Sequence, residues 1–245
     1  MSCINRVAVV TGAAGQGMGR SIAMTLARES ASVVVNYLNS KDRANDIVDY
    51  IEESGGHAIA VQANVFVKDG CEKLIDAALK EFQKVDICVI NPGADFHTDP
   101  LDVFDPVLAL DDLLQEIAPF FHLMRLLLPG MYERHWGRLI GLTLHPTENS
   151  PSYSYNVGKA ARLQAMHLAY EEAWEQGVTI NAIAPGPVEH FTSFEQAIDF
   201  CNNGRAWSER VEITPQDIAE SVAFLCSDAA SYISGSVIPF MYHKK

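Results

Sequence analysis

Arg6-Val-Ala-Val-Val-Thr-Gly-Ala-Ala-Gly-Gln-Gly-Met-Gly19 is the stretch whose reading decides the fold. Its first half, residues 6–11, is a short apolar and β-branched run, the pattern of a strand buried on both faces of a parallel sheet. Its second half packs Gly12, Gly15, Gly17 and Gly19 into eight residues. A helical pattern through Ile22, Leu26 and Ala27 follows at once. A strand that runs through a glycine-rich turn into a helix N-terminus is a phosphate cradle. The glycines let the backbone approach a pyrophosphate, and the helix dipole favours its charge. The blander alternative is a tight strand-to-helix turn that needs left-handed backbone.

Outward from this stretch, strands and helices alternate without repeats or low-complexity linkers. Strands are expected at 6–11, 32–37, 58–62, 86–91, 138–143, 179–184 and 236–240. Helices are expected at 18–30, 41–54, 68–82, 110–134, 155–175 and 215–226. Ser54-Gly55-Gly56 is a glycine stop for the second helix. This alternation predicts an α/β protein: one doubly wound, Rossmann-type parallel sheet over residues 1–245, with helices on both faces and ligands at the carboxyl ends of the strands. Residues 187–213 lack a clear strand and are expected to form a substrate-covering loop.

Tyr155 and Lys159, in Ser154-Tyr-Asn-Val-Gly-Lys159, are four residues apart in a predicted helix and so share one face. A phenol is a weak acid, with a reference pKa of about 10. A neighbouring ammonium favours the phenolate and is expected to draw that value toward neutrality. Such a pair can move a proton to a carbonyl or from an alcohol. The alternative is a half-buried tyrosine beside a solvated lysine.

Together these features resemble the short-chain dehydrogenase/reductase family over essentially the whole chain. The family's opening TGxxxGxG appears as Thr11, Gly12, Gly15, Gly17 and Gly19, one residue longer. Its active-site tyrosine and lysine fall on Tyr155 and Lys159, and its N-x-x-x-P-G stretch on Asn181-Ala-Ile-Ala-Pro-Gly186. Thr214-Pro-Gln-Asp-Ile-Ala-Glu and residues 227–235 also match its habits. The resemblance implies an NAD(P)-dependent oxidoreductase that interconverts a carbonyl and a secondary alcohol, with Tyr155 as acid/base and Lys159 as its partner. It implies a cofactor held by Gly12, Gly15, Gly17, Met18, Gly19, Asn39, Ser40, Asn64, Asn91, Gly93, Tyr155, Lys159, Pro185, Gly186 and Val188. After the second strand there is no acid until Asp42, and Asn39, Ser40 and Lys41 suit a 2′-phosphate, so NADP is expected over NAD. Alternatively, Ser40 caps the next helix and Lys41 is solvated. Asn64 stands where the family has an adenine-contacting aspartate, and it keeps an acceptor.

Around the active site the chain departs from the family. NNAG reads Ile90-Asn91-Pro92-Gly93. Counting back from Leu128-Pro-Gly-Met131, the relay asparagine falls on Glu116. Glu116 is then a surrogate relay, a counter-charge to Lys159 or a solvated helix acid. The catalytic serine falls on Leu144, or on Thr143 if the register slips by one, and His145 is close by. Loss of such a donor costs about 10²–10³ in rate. Thr143 is therefore the candidate third catalytic residue. His190 and Thr192 stand near the family's P-G-x-x-x-T threonine, and Met241-Tyr-His243 replaces D-G-G. These losses leave open a diverged member without redox turnover, acting as a nucleotide-binding or assembly subunit or as a non-redox enzyme.

Composition narrows the partners. A formal charge of −13 speaks against nucleic acid and anionic membranes. No run is long and apolar enough to span a bilayer, and no signal peptide is recognised. The five cysteines lack metal-ligand spacing and suit free thiols in a reducing cytosol, so no metal and a cytoplasmic location are expected. The 110–134 and 155–175 helices carry Phe120, Phe121, Leu126, Leu127, Leu163, Met166 and Leu168, more than one sheet face covers. The resemblance pairs these helices across a two-fold axis, implying a homodimer or homotetramer.

Overall fold

The architecture comes from a computed structural model that describes residues 2–93, 95–144, 152–204 and 212–240. Seven parallel strands form one sheet: β1 (Val7–Val10), β2 (Ser32–Tyr37), β3 (Ala58–Gln62), β4 (Ile87–Ile90), β5 (Gly137–Leu142), β6 (Val178–Ala184) and β7 (Val237–Pro239). Their order is β3-β2-β1-β4-β5-β6-β7. The sequence direction reverses between β1 and β4, whose carboxyl ends are therefore the expected ligand crevice.

Period-two alternation divides the strand side chains between two cores. Ala8, Val10, Val33, Val35, Ile87 and Val89 face one side. Val9, Val34, Cys88 and Ile90 face the other. The first core is covered by α1 (Met18–Arg28), α2 (Lys41–Glu53), α6 (Phe194–Asn203) and α7 (Pro215–Cys226), through Met24, Ile47, Ala197 and Ile218. The second is covered by α3 (Lys68–Phe82), α4 (Pro106–Glu133) and α5 (Tyr153–Glu175), through Leu74, Phe120 and Met166.

Two elements differ from expectation. Helix α4 starts four residues early, because Asp105 caps Val107 N–H at 2.8 Å and Pro106 occupies the first turn. Residues 187–213 are not loop throughout, since they contain α6. Ser193 caps α6 through Gln196 N–H, and Ala197, Phe200 and Cys201 bury its inner face. Arg28 ties this helix to the body, donating to the Cys201 carbonyl at 2.6 Å and to both Glu220 oxygens. Residues 205–211 lie outside the described residues. The apolar residues of α4 and α5 divide: Phe120, Leu127 and Met166 are buried, while Phe121 and Leu168 are exposed.

Candidate active site

The glycine turn closes on itself with no room to spare. Gly12 has φ +60°, where side chains are strained. A Cβ on Gly19 would lie 2.5 Å from the Gly12 carbonyl oxygen and 2.8 Å from Asn91 Nδ2, so only glycine lets α1 start there. Gly17 caps α1 with no side-chain hydrogen bond. The first N–H groups of α1 are thus left without a side-chain acceptor, as an anion site requires. Gly12, Gly15, Gly17, Met18, Gly19, Asn91, Gly186 and Val188 line one cavity of about 340 Å³ together with His190. The residues expected at the pyrophosphate are thereby brought together, and the glycine surfaces fit a dinucleotide. Pro185 is buried at the end of β6, and Gly186 turns the chain at φ +64°.

Two asparagines hold the turn. Asn36 is buried in β2 and accepts from Gly12 N–H at 3.0 Å, while its amide donates to the Ala63 carbonyl at 3.1 Å. Asn91 donates to the Thr11 and Gly12 carbonyls, each at 3.2 Å. The carboxyl ends of β1 and β4 are stitched together at the topological switch.

At the adenosine end, Ser40 starts α2 but makes no capping hydrogen bond; its hydroxyl accepts from the Arg43 guanidinium. Asn39 and Lys41 are exposed beside it. Asn64 Oδ1 accepts from Phe66 N–H at 3.0 Å, so its acceptor serves its own turn.

Tyr155 and Lys159 share a face of α5, with the Lys159 Nζ 5.1 Å from the centre of the Tyr155 ring. Phe96 meets that ring edge-on at 5.2 Å. The expectation of a lowered Tyr155 pKa is corrected here: burial, then the negative charge of Glu116, push the phenol up to about 12. The cause is visible in the geometry. Lys159 Nζ stands 3.2 Å from Glu116 Oε2 and 3.3 Å from the Leu142 carbonyl. Burial and the Arg162 charge draw Lys159 down to about 8, against the pull of Glu116.

Glu116 is fully buried, which excludes the solvated acid, and its ion pair with Lys159 suits a counter-charge. Its Oε2 also meets Arg162 at 3.0 Å. Arg162, likewise buried, donates to the carbonyls of Glu116, Leu142 and Pro92. Gly93 lies close beneath this group: a Cβ there would meet Glu116 Oε1 at 2.3 Å and displace it.

Thr143, the candidate third catalytic residue, follows β5 and is buried. Its hydroxyl donates to the Lys159 carbonyl at 3.0 Å, fastening β5 to α5. Leu144 is half-buried and has no donor. His145 and Met241-Tyr-His243 lie outside the described residues.

Comparison with known proteins places this site in a family. A family model described as enoyl-(acyl carrier protein) reductase matches residues 12–240. A 3-oxoacyl-(acyl-carrier-protein) reductase of Staphylococcus epidermidis is 33% identical over 242 residues, covering 96% of this chain and 97% of its own. A 7alpha-hydroxysteroid dehydrogenase of Escherichia coli is 34% identical over 243 residues, covering 95% and 91%. The chain belongs to the short-chain dehydrogenase/reductase family of NAD(P)-dependent oxidoreductases. A solved 7 alpha-hydroxysteroid dehydrogenase complexed with NADH and 7-oxo glycochenodeoxycholic acid superposes with a TM-score of 0.84. The two are 30% identical, and the match covers 98% of this chain and 94% of that one.

Among short-chain dehydrogenase/reductase features, two clusters here were not foreseen. One is Arg162, seven residues past Tyr155 and therefore on the same face of α5; that spacing was the available signal. The other is Asp112, buried in α4, which accepts from Ser154 Oγ at 2.6 Å and pairs with His97 Nδ1 at 2.9 Å. It fixes the start of α5 to the segment carrying Phe96. Among the described residues no group of His, Cys, Asp and Glu suits a metal, and no helix is long and apolar enough to cross a membrane.

Proposed function

We propose that the chain interconverts a carbonyl and a secondary alcohol on a small molecule, with Tyr155 as acid/base and Lys159 as its electrostatic partner. The observation that supports this reading is the pairing of Tyr155 and Lys159 on one face of α5, with the Lys159 Nζ against the Leu142 carbonyl at the carboxyl end of β5. Gly12, Gly15, Gly17, Met18 and Gly19 would hold the dinucleotide diphosphate at the start of α1, with Asn91, Gly186 and Val188 lining the same cavity and Gly93 and Pro185 adjoining these in the chain. A bound nicotinamide would supply the hydride chemistry at the carbinol carbon. In reduction Tyr155 gives its phenolic proton to the developing alkoxide oxygen, and the phenolate is reprotonated from solvent. Lys159 and Arg162 stabilise that transient phenolate, while burial by Phe96 keeps the transfer out of bulk water.

NADP is the cofactor this reading favours over NAD. No acid ends β2, and Asn39, Ser40 and Lys41 are joined by Arg43, whose guanidinium already reaches Ser40. Arg20 adds positive charge near Arg43, which helps lower its pKa after burial. The exposed Leu114, Phe121 and Leu168 of α4 and α5 support a homodimer or homotetramer built on that helix pair.

The test is a fluorescence titration with NADPH and NADH. A panel of steroid ketones, 3-oxoacyl thioesters and aryl ketones follows, read as loss of reduced-cofactor absorbance. Turnover of at least one carbonyl class supports the reading. Dinucleotide binding without turnover across the panel counts against it.

A further inference from the structure

Helix α4 turns two buried carboxylates toward α5, one helical turn apart: Asp112 and Glu116. Glu116 meets Lys159 and Arg162, which follow Tyr155 along α5. Asp112 serves the residues before it. Its Oδ2 accepts from Ser154 Oγ at 2.6 Å and pairs with His97 Nδ1 at 2.9 Å. Ser154 directly precedes Tyr155, and His97 directly follows Phe96. One carboxylate oxygen thus joins the helix of the acid/base to the segment that leaves β4. Phe96 meets the Tyr155 ring edge-on at 5.2 Å, yet about half of its own surface (51%) stays exposed. Phe104, farther along the same segment, meets Tyr153 at 5.9 Å. The exposed face of Phe96 is open to a molecule lying against Tyr155.

We propose that Asp112 is a positioning residue for substrate: by gripping Ser154 and His97 on one oxygen, it holds the Phe96 ring against Tyr155 as an apolar wall of the carbonyl pocket. The inference rests on the reading of Tyr155 as acid/base given above. A carboxylate buried this deeply keeps its desolvation cost unless donors meet it, so Ser154 and His97 are drawn onto Asp112 together. Hydrogen bonds to a charged acceptor are of the stronger kind. Residues 95–105 form neither helix nor strand, so their place over α5 depends on side-chain contacts such as these. Phe96 contributes apolar surface rather than a reacting group. Its displacement therefore weakens binding of the carbonyl compound more than it slows the chemical step. A wall of this kind favours carbonyl compounds that carry an apolar chain or an aromatic ring beside the reacting carbon.

The test is steady-state kinetics on the best carbonyl from the panel, with the Kd of reduced cofactor measured separately by fluorescence. His97→Ala and Phe96→Ala should each raise KM about fivefold or more, as loss of an aromatic contact surface requires. In both, kcat and the cofactor Kd should stay within about twofold of wild type. The double variant Phe96→Ala/His97→Ala should be no worse than Phe96→Ala alone, because His97 acts through that ring. Asp112→Ala should match His97→Ala. Asp112→Asn still accepts from both donors and should bring KM back to within about twofold of wild type. A KM unmoved in His97→Ala would overturn the proposal, and so would KM losses that multiply in the double variant. The His97 ring lies partly at the surface, so its variants decide even where Asp112→Ala does not fold. Either failure, with turnover lost in Tyr155→Phe, would reject this inference alone. Turnover retained in Tyr155→Phe, or none across the panel, would reject the catalytic reading and this inference with it.

Discussion

Arg162 and Glu116 meet at 3.0 Å in a space where neither side chain touches solvent. With Lys159 they put three buried charges beside Tyr155. Taking Glu116 away alone should cost most, because Lys159 and Arg162 are then two buried cations without their shared anion. Glu116→Gln is expected to lower stability by about 3 kcal/mol. The double variant Glu116→Gln/Arg162→Met should lose clearly less than the sum of the single losses. Urea unfolding of the four proteins gives the coupling directly. Additive losses would show that the two residues do not support one another.

The glycine cradle makes a sharp expectation for binding. Gly17→Asp places a carboxylate at the start of α1, where a Cβ already meets the His190 ring at 3.3 Å. Dinucleotide affinity should fall at least about tenfold, from charge against the diphosphate and the filled space. Fluorescence titration of reduced cofactor checks this, with circular dichroism confirming the fold.

The proposed preference for NADPH is tested at the start of α2. Arg43→Ala and Lys41→Glu should each weaken NADPH more than NADH, because only the former carries a phosphate for these cations to meet. Equal losses for the two cofactors would mean that both side chains are only solvated.

His97 gives a pH dependence whose sign is fixed. Its hydrogen bond to Asp112 raises its pKa in the folded chain, with Asp95 and Asp99 adding to the effect. The stabilisation is therefore complete below the ordinary histidine value of about 6.5 and is lost as pH rises through the raised folded value. Thermal melts of wild type against His97→Gln should differ most near about pH 6 and converge toward about pH 8.5. A constant difference across that range would separate His97 from the ion pair.

Light scattering at micromolar concentration tests the exposed α4 and α5 face. A dimer or tetramer is expected, and Leu168→Lys should shift it toward monomer. A monomeric wild type would leave Phe121 and Leu168 as isolated surface residues.

The sheet was legible because its strands are short apolar, β-branched runs that alternate with longer helical stretches. Among the described residues, all seven strands and six of the seven α-helices follow the pattern read from the sequence. Helix α6 was not, because its ten residues offer one short apolar face and follow a proline-rich turn. The cradle was legible from Gly12 and Gly19, whose lack of a side chain is itself the signal. The state of Tyr155 was not. The Tyr155 and Lys159 spacing gives the distance between two residues, but the charge that decides the pair comes from Glu116, nearly forty positions upstream on another helix. Thr143 shows the same limit, since its hydroxyl is turned by a backbone carbonyl that only the packed helix supplies.

The central claim is that Tyr155 moves the proton in a redox reaction. Steady-state turnover of the best carbonyl from the panel, compared between wild type and Tyr155→Phe, measures it most directly. Removal of the hydroxyl alone should lower kcat by about 10² or more, in line with the contribution of a positioned acid, while the dinucleotide Kd stays within about twofold. A Tyr155→Phe variant that turns over at the wild-type rate would contradict the account.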